Sequence, residues 1–120
     1  MENEALNVVK ISVSSIDDAN RRFEAAFRGE EQGSHISFAS FELLWRVLAP
    51  KRMEIVQAMT GAGPIAIREV ARRVKRDVKA VHGDVQALLK AGVVDKTDEG
   101  LVVFPYDSVH FDFVVEKAAS

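Results

Sequence analysis

The sequence predicts an α+β fold: a winged helix-turn-helix with a strand and helix before it and a strand after it. Three observations carry that prediction. Ile65–Phe104 reads as two short helices joined by a basic turn and followed by a β-hairpin. Residues alternate between apolar and polar near both ends, with Val9, Ile11 and Val13 in one run and Val109, Phe111, Phe113 and Val115 in the other. That period of two belongs to strands. Between these runs, glycine and proline divide the chain into helix-length segments.

In chain order, Leu6–Ser14 is the first predicted strand. Ser15 can cap a helix over about residues 16–28, with Asp17 and Asp18 in its first turn, where the helix macrodipole favours carboxylates. Ile16, Ala19, Phe23, Ala26 and Phe27 recur at helical spacing, and Gly29 ends the segment. Residues 30–37 are polar, contain Gly33 and read as a loop, with His35 solvated in it. Phe38–Leu48 places Phe41, Leu44, Trp45 and Leu48 on one helical face, with Ser40 as a cap and Trp45 counted with the core. Pro50 breaks this helix and opens the next, which runs to Thr60 and buries Met53, Val56 and Met59. Gly61-Ala62-Gly63-Pro64 is a turn.

The helix-turn-helix follows. Ile67, Val70, Ala71 and Val74 face inward on its first helix, and Lys75-Arg76-Asp77 forms the turn. Asp77 caps a second helix over about residues 78–91, whose inner face holds Val78, Val81, Val85, Leu88 and Leu89. Gly92 stops it, and Val93–Phe104 forms a two-stranded wing. After the Pro105-Tyr106-Asp107 turn comes the last predicted strand, Val109–Val115, with His110 on the face opposite the phenylalanines. The organisation expected is an extension over 1–37, the winged helix-turn-helix over 38–107 and a C-terminal strand and tail over 108–120. The two terminal strands have free edges, and can pair with each other, with a second copy or with another protein.

The chain has 120 residues, 48% hydrophobic and 28% charged, ordinary proportions for a soluble globular domain. It has no cysteine, which excludes disulfides and thiolate chemistry. No run is long enough for a membrane span and the N-terminus lacks signal-peptide order, so a cytoplasmic protein is expected. The net charge is −2, but its distribution is uneven: residues 1–49 carry −3, residues 50–92 carry +5 and residues 93–120 carry −4. The positive charge sits on the helix-turn-helix and the helix leading into it, as phosphate binding requires.

Within that segment Lys79, His82 and Gln86 lie on the outer face of the second helix, where a helix-turn-helix reads base edges. Arg72, Arg73, Lys75 and Arg76 cluster at the end of the first helix and in the turn, placed for phosphates. Lys51 and Arg52 can add to them, and Lys96 near the wing tip can reach a backbone or minor groove. The competing reading is a solvated basic face, or a winged helix that only assembles with other proteins. Val9, Ile11, Val13, Phe111 and Phe113 are candidates for a dimer or partner interface. His35, His82 and His110 have no metal-site spacing, and no nucleophile, base and oxyanion donors converge, so no enzyme, metal or cofactor is expected.

Leu48-Ala49-Pro50-Lys51-Arg52-Met53-Glu54, the run from Ile67 to Val74, Arg76-Asp77-Val78-Lys79-Ala80-Val81-His82-Gly83-Asp84-Val85 and Val103-Phe104-Pro105-Tyr106-Asp107 together form a pattern. It resembles small winged helix-turn-helix DNA-binding proteins of the prokaryotic multiple-antibiotic-resistance-regulator type, over about residues 38–116. The resemblance implies a transcription regulator that binds double-stranded DNA, and a homodimer is expected because one recognition helix covers few bases and two-fold symmetry matches a palindromic operator. It also implies an antitoxin, paired with a cognate toxin, that represses its own operon. This chain departs from the pattern at Ala49 and Ala66, where a capping Ser or Thr is expected, and at Gly83, where a longer polar or basic side chain is expected.

Overall fold

In the computed structural model, residues 7–13, 21, 24 and 34–115 are described. The expected helix over 16–28 lies outside these residues, apart from Arg21 and Glu24, which are helical and exposed. The described chain is an α+β fold of four helices, a three-stranded sheet and a hairpin.

The sheet is built from β1 (Val8–Val13), β2 (Ser34–Phe38) and β5 (Ser108–Asp112). β1 lies in the middle, parallel to both neighbours, with Ile11 opposite Ile36 on one side and Phe111 on the other. The strands near the two ends therefore pair with each other within one chain. Parallel neighbours need long crossovers; the connection from β2 to β5 contains all four helices and the hairpin.

Three expectations are corrected here. Residues 30–37 do not form only a loop, because β2 starts at Ser34. His35 is thus a half-buried strand residue aligned with Lys10, not a solvated loop residue. The strand is short and carries polar residues at alternate positions, so its pairing partner, more than its own apolar pattern, fixes it. Phe38 ends this strand, buried, instead of starting the helix. The last strand spans Ser108–Asp112, not Val109–Val115, because its register with β1 ends at Ser12 opposite Asp112. Val114 and Val115 are exposed beyond it.

Helices α1 (Phe41–Val47), α2 (Pro50–Met59), α3 (Ile67–Val74) and α4 (Val78–Lys90) follow β2. Ser40 caps α1 by accepting from the Leu43 N–H at 3.1 Å, and Asp77 caps α4 by accepting from Ala80 N–H at 3.2 Å. Ala49 and Ala66 precede α2 and α3 and give no side-chain cap, as the sequence implied. Each missing cap forgoes about 1 kcal/mol.

Strands β3 (Asp95–Lys96) and β4 (Val102–Val103) form the hairpin, closed by Thr97 and Leu101. Gly100 supplies the left-handed backbone of its tip, at φ 85°. A third segment joins it. Ile65 and Val102 exchange both backbone hydrogen bonds, at 2.9 and 2.8 Å, just before α3 begins. The hairpin is thereby fixed to the start of the helix pair.

One core joins all of this. Val9 and Ile11 of β1, Leu44 and Leu48, Ile55 and Met59, Val70, Val81, Val85 and Leu88, and Val102 and Phe104 are all buried in it. Val78 and Trp45 are corrections in the other direction. Val78 is the first residue of α4 and is 44% exposed, so it does not share the inner face of Val81 and Val85. Trp45 is 56% exposed and rests its ring edge-on against Phe113, with centroids 6.1 Å apart. The start of β1 is tied to the turn between β4 and β5 by Asn7. Its N–H donates to the Asp107 carboxylate at 3.0 Å, its side-chain amide to Pro105 C=O at 2.6 Å, and its C=O accepts from Asp107 N–H at 2.6 Å.

Candidate nucleic-acid interface

The turn between α3 and α4 is closed by two backbone bonds. Arg76 N–H donates to Ala71 C=O at 3.1 Å and Lys75 N–H to Arg72 C=O at 3.2 Å. This Schellman-type closure requires a left-handed residue after the helix, normally glycine. Here it is Lys75, at φ 57° and ψ 47°. A lysine in that conformation carries backbone strain, and its side chain stands exposed at the junction of the two helices.

The ten basic and polar candidates divide into two groups. Lys51, Arg72, Arg73, Lys75, Lys79, His82, Gln86 and Lys96 are exposed. Arg52 and Arg76 are half-buried, and their side chains are engaged within the fold. Both converge on Asp84 of α4: Arg52 Nε donates to Oδ1 at 3.0 Å and Arg76 Nη2 to Oδ2 at 2.8 Å. Arg52 also reaches the Arg46 and Val47 carbonyls at the end of α1, at 3.3 and 3.4 Å. Arg76 is 19% exposed, and its Nη1 is buried with no hydrogen-bond partner among the described residues. Burial pushes the Asp84 carboxyl up, but the hydrogen bonds and charges of Arg76 and Arg52 outweigh it and hold the group below its ordinary value. This Arg–Asp–Arg cluster fixes α1, α2, the turn and α4 relative to one another. The sequence showed Asp84 only as part of a pattern. Its position on the flank of α4, between the core residues Val81, Val85 and Leu88 and the outward Gly83, was the available signal.

A second carboxylate organises the end of α3. Glu69 accepts from Arg72 Nε at 2.8 Å and from Arg73 Nε at 2.7 Å. Hydrogen bonds from Arg72, then Arg73, hold its pKa down to about 2. The two arginines nevertheless reach different surfaces. Arg72 lines a shallow groove of about 460 Å³ with Arg68, Arg76 and Val78, between α3 and the start of α4. Arg73 lines another, with Glu54, Gln57 and Ala58 of α2. Sequence reasoning missed Arg68, whose signal was its place one turn before Arg72 on the same helix.

On α4, Lys79, His82, Gly83 and Gln86 recur at helical spacing and are all exposed. A Cβ added at Gly83 would meet nothing within 4 Å, so the glycine does not relieve a clash. Lys96 lies in β3, exposed, opposite Val102.

Of the five interface candidates, Val9 and Ile11 are fully buried in the core and are corrected: they hold the sheet to the helices. Val13 and Phe113 are half-buried, and Phe111 is 40% exposed. Among the described residues no group of acidic, histidine or cysteine side chains could hold a metal, and no helix is long and apolar enough to cross a membrane.

The described chain is thus an α+β protein in which a compact helix pair and hairpin stand beside a small parallel sheet. The profile of the HVO_A0114 family matches residues 47–111, just over half of the chain. The chain belongs to the HVO_A0114 family. The matched segment runs from the end of α1 through the three following helices and the hairpin into β5. Comparison with curated proteins gives no match.

Proposed function

We propose that this chain is a winged helix-turn-helix DNA-binding transcription regulator, with α3 and α4 as the helix-turn-helix and β3–β4 as the wing. The observation that carries the reading is the outward stripe of Lys79, His82, Gly83 and Gln86 on α4. Beside it, Arg68 and Arg72 share one groove at the start of α4, and Lys75 projects from the turn. Hydrogen-bonding side chains over the first half of the second helix suit a major groove, and the flanking cations suit phosphates. The strained Lys75 backbone supports the same reading, since a glycine there would relieve the strain but offer no charge.

The expected observation is binding of duplex DNA, including the DNA upstream of its own gene, that weakens steeply with salt. Each phosphate contact contributes about −0.9 to the slope of log affinity against log salt concentration. Absence of salt-sensitive duplex binding would overturn the reading. It would leave the second one, a winged helix used only for protein assembly, which the net charge of −2 and the pairing of Arg52 and Arg76 with Asp84 favour. An autoregulating antitoxin is the form of the DNA reading that the sequence resemblance implies. A stable complex with the product of a neighbouring small gene is its expected signature.

A further inference from the structure

β5 is an edge strand, with β1 on one side and no strand on the other among the described residues. Its outer edge thus carries backbone groups open to pairing. Its sequence from Val109 to Phe113 is Val-His-Phe-Asp-Phe. Read outward from Phe111, this is close to a chemical palindrome: an aromatic centre, a base on one side matched by an acid on the other, then an apolar residue at each end.

From this we infer that β5 pairs antiparallel with β5 of a second copy of this chain, about a two-fold axis through Phe111. Antiparallel self-pairing places Phe111 opposite Phe111, His110 opposite the partner's Asp112, and Val109 opposite the partner's Phe113. Opposed residues share a face of the sheet, and apolar and opposite-charge pairs of this kind stabilise it. A two-fold axis normal to the sheet allows only registers centred on a residue. Centring on Asp112 sets two carboxylates face to face. Centring on His110 opposes two histidines and puts Phe113 against Asp107. Only the Phe111 register matches a basic side chain with an acidic one and apolar with apolar.

The exposure pattern agrees. His110, Phe111 and Asp112 are all exposed, and Phe111 and Trp45, linked through Phe113, leave an aromatic surface uncovered at this edge. Lys10 stands 3.8 Å from Asp112 on the same face of the sheet, and among the described residues it is a further charge beside the His110–Asp112 pair. A six-stranded sheet spanning two copies results. It supplies the two-fold partner that the DNA-binding reading calls for, but every test of it is made without DNA, so the two can fail separately.

The chain has no cysteine, so single substitutions give a clean cross-linking test. Phe111→Cys places two thiols directly opposite each other across the axis, within disulfide reach, and mild oxidation should yield a covalent dimer. Val109→Cys sets its two thiols about 14 Å apart along the strands and should not cross-link. In sedimentation of the full chain, His110→Asp alone should weaken dimerisation about tenfold, because it opposes two carboxylates in each of two symmetric pairs. The exchanged variant His110→Asp with Asp112→His should restore it. Circular dichroism confirms that each variant is folded. A wild-type monomer at all concentrations, equal cross-linking at 109 and 111, or an exchanged variant as weak as the single one would each overturn the inference.

Discussion

Single residues carry two separate tasks in the basic segment, and charge alone does not distinguish them. Arg52 and Arg76 look no different from Arg72 or Lys75 in the sequence, yet the fold turns them inward onto Asp84. That pairing joins positions 32 and 8 residues apart, so no local pattern announces it. Removing Asp84 leaves two guanidinium groups partly buried without their counter-charge. Asp84→Ala is expected to destabilise the fold by about 2 kcal/mol, below the range for a fully buried pair because solvent still reaches the cluster; chemical denaturation checks it. The Asp84 carboxyl lies below its ordinary value in the folded state, so its contribution is complete above that value and is lost as pH falls. Glu69 behaves likewise at the surface. Its carboxyl should titrate near pH 2 by NMR, and a midpoint near the ordinary 4.5 would show that the Arg72–Glu69–Arg73 network does not persist. Lys75 is the residue where stability and the proposed function pull apart. Lys75→Gly should raise stability by up to about 1 kcal/mol by relieving the left-handed strain and at the same time weaken duplex binding.

Elements with a strong internal pattern were legible in the sequence. The start of α4 followed from Asp77, the break between α1 and α2 from Pro50, and the end of α4 from Gly92. β2 was missed because its pairing with β1 lies outside its own residues, and β5 ends where its pairing with β1 ends, at Asp112 opposite Ser12, before its own alternation does. The candidate site divides the same way: the outward face of α4 could be read from helical spacing, whereas the separation of Arg72 from Arg73 into two grooves needed the packing of α2 against α3. Gly83 gives a test at this scale. A side chain there meets open space, so Gly83→Ala should stabilise α4 by about 1 kcal/mol. Gly83→Leu should keep most of that gain yet block close approach to the stripe of Lys79, His82 and Gln86. A thermal melt and a duplex titration on the same variants separate these effects; unchanged duplex affinity in Gly83→Leu would show that this face does not meet DNA.

At the scale of the whole molecule, the fold joins the two chain regions that flank the basic segment into one sheet. That sheet shares its core with the helices through Val9 and Ile11. The sequence supplied both strands but left their pairing open, because alternation specifies a buried face and not a neighbour. The resulting molecule separates its surfaces: the turn and α4 on the cationic segment, and the hairpin and the β5 edge on the acidic C-terminal one. The central proposal is that the exposed Arg68 and Lys75 beside the turn meet phosphate, while Arg52 and Arg76 hold the scaffold. The most direct measurement is the salt dependence of duplex affinity for wild type and for Arg68→Ala/Lys75→Ala, with thermal stability measured alongside. The double variant should keep its stability and flatten the slope by about 1.8, which is two phosphate contacts. A slope unchanged from wild type, or wild-type duplex binding that does not respond to salt, would contradict it.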